Sequence, residues 1–124
     1  MNKNLLAFLA SGIWISLSEF IRNELLFKSF WLQKYASLGL QFPSAPINNA
    51  LWGIWSLFLA GVTLFLTRKI RFFESVLVLW ILAFPMMWIA IGNLNVLPMR
   101  LLLYAVPLSV LEVAVAAVLC KRIV

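Results

Sequence analysis

Four apolar stretches recur along the chain, and each is long enough to cross a bilayer, which takes about 20 mostly apolar residues in a helix. They predict spanning helices over about 5–27, 47–67, 72–92 and 99–120. Between the first and second lies KSFWLQKYASLGLQF, residues 28–42, which is too polar to cross. Trp31, Tyr35, Leu38 and Phe42 recur there at spacings of 4, 3 and 4, while Ser29, Gln33, Ser37 and Gln41 take the opposite side. This pattern predicts a short amphipathic helix over about 28–40, lying in the interface with Trp31 and Tyr35 at headgroup depth. Its expected role is a membrane-surface connector, the alternative being a lid over the polar face of the first span. Pro43 and Pro46 then turn the chain back, and Asn48 and Asn49 are candidate caps for the second span. The expected fold is an all-α integral membrane protein, one four-helix transmembrane domain over residues 1–124.

The polar positions within the spans are not scattered. At 100° per residue, Ser11, Gly12, Ser16, Ser18, Glu19, Arg22 and Asn23 fall within an arc of about 160° on the first helix. Charged groups in hydrocarbon cost a few kcal/mol or more, so the other helices must cover that face. The second span carries Asn49, Gly53, Ser56, Ala60, Thr63 and Thr67 at spacings of 4, 3, 4, 3 and 4. Such a small and hydroxylated stripe lets helices approach closely and exchange hydrogen bonds. In the third span Glu74 suits the positive end of the helix, and Pro85 predicts a kink. The fourth carries Ala105, Ser109, Glu112 and Ala116 on one stripe, with Pro107 ahead of the glutamate.

A rise of 1.5 Å per residue puts Glu19 roughly 21 Å from the inner end of its helix and Glu112 roughly 20 Å from the outer end of its own. That offset of about 10 Å in depth predicts two separate stations, not one dyad. Arg22 and Arg100 are the candidate counter-ions of Glu19. Glu112 has none at its own level, which makes it either a proton carrier or a neutral acid hydrogen-bonded to Ser11 or Thr63. Glu24 and Lys28, four residues apart, read as a solvated pair.

Composition supports the membrane reading. Of 124 residues 65% are hydrophobic and 11% charged, against about a quarter charged in soluble proteins. The net charge of +6 sits at the ends of apolar runs, not in a basic stripe with an aromatic platform, so no nucleic acid is expected. Lys3, Arg68, Lys69, Arg71, Lys121 and Arg122 share one side, against Arg22, Lys28, Lys34 and Arg100 on the other. The positive-inside bias therefore makes both termini cytoplasmic, in a plasma or inner membrane. Ala10-Ser11-Gly12 resembles a signal-cleavage site, but the apolar run before it is shorter than the usual 7 to 15 or so residues, so a retained first helix is expected.

Chemistry is constrained by absences. The sequence has no histidine and a single cysteine, Cys120, which excludes an intramolecular disulfide and the Ser-His and Cys-His nucleophile pairs. No metal or other cofactor is expected, and an enzyme would rest on glutamate, arginine and serine alone. The expected function is transport or channel-like passage of a small polar or charged solute, with proton coupling. Glu19, Arg22, Asn23, Asn49, Ser56, Arg100 and Glu112 are the candidate solute- or proton-binding residues. The alternative is a non-catalytic accessory or assembly subunit that binds partner helices through its small-residue stripes. Expected partners are the lipid bilayer and either a second copy or another membrane protein.

Overall fold

The computed structural model describes residues 2–124, and every element in it is helical. Helix α1, Lys3–Phe20, starts where the Asn2 side chain accepts the Asn4 N–H at 2.7 Å, an Asn cap on otherwise orphaned donors. It runs without interruption into a π-helical turn, Ile21–Leu26, in which the Phe27 N–H reaches the Arg22 carbonyl five residues back at 2.8 Å. Helix α2, Lys28–Ser37, follows and ends before Gly39, whose φ of +71° lies where only glycine is comfortable.

Helix α3, Pro46–Lys69, opens on a proline, whose missing N–H is no loss in a first turn. The Asn48 side chain reaches back to accept the Ala45 N–H at 3.1 Å, the capping role its sequence position suggests. The third span is two helices, α4 (Phe72–Ala83) and α5 (Pro85–Asn93). The expected kink at Pro85 is a break. Proline crowds the residue before it, and Phe84 stands at φ −120° and ψ −71°. Asn95 takes a positive φ of 64° in the following turn, and a 3₁₀ turn, Met99–Leu101, leads into α6, Leu102–Ile123, which continues through Pro107.

Four segments are long and apolar enough to cross a membrane: Lys3–Leu26, Pro46–Lys69, Phe72–Asn93 and Met99–Ile123. The protein is thus an all-helical multi-pass membrane protein, with α2 outside the spans. Helices α1, α3 and α6 each pack on the other two, and α4 packs on α3 and α6. Phe58, Phe73, Ile89 and Leu103 point outward from the bundle.

Small residues set how closely the helices approach. Lipid offers no hydrophobic drive between them, so van der Waals contact and hydrogen bonds hold the bundle. A Cβ on Gly12 would stand 3.0 Å from Leu57 Cδ2, which marks a close approach of α1 to α3. Ser56, Ala60, Thr63 and Thr67 are buried, as their stripe predicts. Their hydroxyls, however, do not bond across helices: Ser56, Thr63 and Thr67 donate to the carbonyls of Trp52, Leu59 and Thr63 one turn back. A hydroxyl on a helix always has that carbonyl in reach, and no donor is then left unsatisfied. Two cross-helix bonds come from tryptophans. Trp80 Nε1 donates to Ser109 Oγ at 2.9 Å, and Trp14 Nε1 to the Glu112 carbonyl at 2.8 Å.

Candidate functional site

The polar arc of α1 faces α6, and Arg22 connects them. Its Nη2 lies 2.5 Å from Glu19 Oε1 and its Nη1 lies 3.2 Å from Glu112 Oε1. The guanidinium also stands 4.9 Å from the centre of the Phe84 ring, in cation–π range. All three charged side chains are buried, Glu112 completely. The two carboxylates are therefore one site and not the two separate stations expected.

The reason is the direction of the side chains. Trp14, five residues before Glu19, donates its indole N–H to the Glu112 carbonyl, so the Glu112 backbone lies on the terminal side of Glu19. Helical side chains tilt towards the N-terminus of their own helix. On α1 that tilt takes Arg22 towards the termini, and on antiparallel α6 it takes Glu112 the other way, so the two converge. Glu112 thus has a counter-ion after all, and neither Ser11 nor Thr63 is its partner: Ser11 donates to the Ala7 carbonyl and Thr63 to that of Leu59.

Asn23 completes the upper half. Its Nδ2 donates to the carbonyl and to Oε2 of Glu19, both at 3.1 Å, while its Oδ1 accepts Trp31 Nε1 at 3.2 Å. An indole can only donate, which fixes the amide orientation. The π-helical turn makes this possible by widening the helix between Glu19 and α2, and such turns recur at functional sites. Both Glu19 oxygens are engaged, whereas Glu112 Oε2 is buried with no hydrogen-bond partner.

Above the triad is a cavity of about 500 Å³ at the end of the bundle away from the termini. Glu19, Arg22 and Asn23 lie at its floor, and Phe27, Trp31, Tyr35, Phe42, Trp52 and Trp88 are among its walls. Trp31 stacks on Phe42 at 5.8 Å, and Tyr35 meets the same ring edge-on at 5.1 Å. The segment read as a surface connector is therefore a wall of the cavity, because its aromatic side turns inward over the polar face of α1. Glu24 and Lys28 pair at 2.9 Å, about a third exposed, as expected of a solvated pair, and Lys28 Nζ lies 5.3 Å from the Phe42 ring centre.

Of the other candidates, Asn49 and Ser56 line the cavity, Asn49 exposed and Ser56 buried with its hydroxyl committed to Trp52. Arg100 is not part of the site. It lies exposed in the 3₁₀ turn and contacts no carboxylate among the described residues, since that turn carries it away from the bundle interior. The sequence reading missed Trp14 and Phe84. Trp14 carries a signal, because tryptophans favour the membrane interface and one ten residues into a span needs a partner for its N–H. Phe84 carries none beyond its place before Pro85. No group of residues suited to hold a metal ion occurs among those described. No known family, curated protein or solved structure matches the chain.

Proposed function

We propose that the protein is a transporter or channel-like membrane protein that takes a small solute into the cavity above Arg22. What supports this reading is the triad itself: two buried carboxylates share one guanidinium, and two of its three members, Glu19 and Arg22, line the cavity. Two negative charges against one positive leave an excess of one, and a dry site does not tolerate an unbalanced charge. A proton or a bound cation restores neutrality. Intramembrane ionisable groups of this kind mark ion and solute pathways. With the termini cytoplasmic, by the positive-inside bias, the cavity opens outward.

The accessory-subunit reading relied on the small-residue stripes as partner-binding surfaces. Those stripes are occupied by the chain's own helices, Ala60, Thr63 and Ala116 being fully buried inside the bundle. The deciding experiment is flux in proteoliposomes with a pH-sensitive dye inside. Solute-dependent proton movement that disappears in Glu112→Gln supports the proposal. A bundle that moves no proton and no solute, yet co-purifies from native membranes with a stoichiometric partner, returns the accessory reading.

A further inference from the structure

We infer that the cavity takes an organic monocation with an aromatic or flat apolar body, an inference that rests on the solute-binding reading above. The sign of charge comes from the triad. Both ends of the Arg22 guanidinium already hold carboxylates, so an arriving anion would have to displace one of them, while a cation can take the place of the proton that otherwise balances the second carboxylate. The second carboxylate is Glu112, whose Oε2 is buried and unpartnered; it stands behind Arg22 and acts on the cavity through Arg22 and Glu19, which line it. The other charged pair at the cavity, Glu24 with Lys28, is balanced and leaves the sum unchanged.

The body of the ligand comes from the walls. Trp31, Tyr35, Phe42, Trp52 and Trp88 present ring surface to the cavity, and indole faces attract cations most strongly. The protein places two of its own cations on rings in this region, Arg22 over Phe84 and Lys28 over Phe42. A volume of about 500 Å³ is within the usual range for a small organic ligand and far exceeds what a bare metal ion or ammonium needs.

The test is a tryptophan-fluorescence titration of the purified full chain in detergent, since three of the wall residues report directly. Four probes separate charge from shape: benzyltrimethylammonium, tetramethylammonium, benzyl alcohol and benzenesulfonate. The expected result is saturable binding of benzyltrimethylammonium at least tenfold tighter than of the other three. Glu112→Gln removes the carboxylate behind Arg22 while keeping a hydrogen-bond acceptor for its guanidinium, and should reduce that preference about tenfold without changing benzyl alcohol. Trp52→Ala, at a half-exposed wall position that the core does not need, should weaken the aromatic cation about threefold. Tightest binding of benzenesulfonate or benzyl alcohol would overturn the cation inference while leaving the solute-binding reading intact. Saturable binding of none of the four overturns both.

Discussion

Arg22 is the residue on which the buried charges depend, and the consequence is asymmetric. Glu19→Gln or Glu112→Gln leaves Arg22 with one carboxylate, so each variant should lose little stability. Arg22→Gln leaves two buried carboxylates uncompensated and should cost about 3–5 kcal/mol. Adding Glu19→Gln to Arg22→Gln should recover part of that loss, because groups in one network do not behave additively. Melting temperatures of the four proteins in detergent check this, and small additive losses would mean that the three side chains are solvated and independent. A second residue-scale prediction concerns Ser109→Ala, which strips the Trp80 N–H of its acceptor and should cost about 1 kcal/mol in the same assay. Glu19, Arg22 and Asn23 were legible from their shared arc on one helix. The bond from Arg22 to Glu112 was not, because counting rise per residue locates backbones and says nothing about which way a long side chain leans.

At the scale of elements, the π-helical turn holds one residue more per hydrogen-bonded ring than its flanks. The turn ends at Phe27, whose φ of −110° and ψ of 5° mark the departure of α2. Deleting Leu25, which is exposed, should close the widened ring to an ordinary helical turn, in which Phe27 stands four residues after the Arg22 carbonyl that it already bonds. Asn23 would then shift against Trp31, while the stack of Trp31 on Phe42 and the rest of the bundle remain. Circular dichroism should show unchanged helix content, and the indole fluorescence of a Trp31-only variant should shift as its surroundings change. All four spans could be read from hydropathy, and the α2 stripe from its spacing of 4, 3 and 4. A five-residue hydrogen-bond repeat leaves no such trace, so the turn that couples α1 to α2 was invisible. The hydroxyl stripe of α3 was located correctly but misread in its bonding, since spacing tells which face is buried and not whether a hydroxyl prefers a neighbour to its own backbone.

For the molecule as a whole, the proposed orientation makes accessible sites on opposite faces. In a Cys120→Ser background, cysteine at Ser37 or Asn95 should react with an impermeant thiol reagent applied to intact cells, and cysteine at Lys69 should not. The reverse pattern would invert the proposed orientation, and equal labelling would mean that both orientations insert. The triad has a further consequence for biogenesis. Arg22 and Glu112 lie 90 residues apart in the chain, whereas Arg22 and Glu19 are neighbours on one helix face. During synthesis the first span can therefore enter the bilayer with its charges already mutually compensated. The last span arrives bearing an acid with no local partner, at an insertion cost of about 2.5–3.5 kcal/mol for such a group at mid-membrane. A guanidinium already waiting in the membrane gives that final segment something to insert towards. Of the two helices, the one that leaves the ribosome earlier thus acts as a template for the later one.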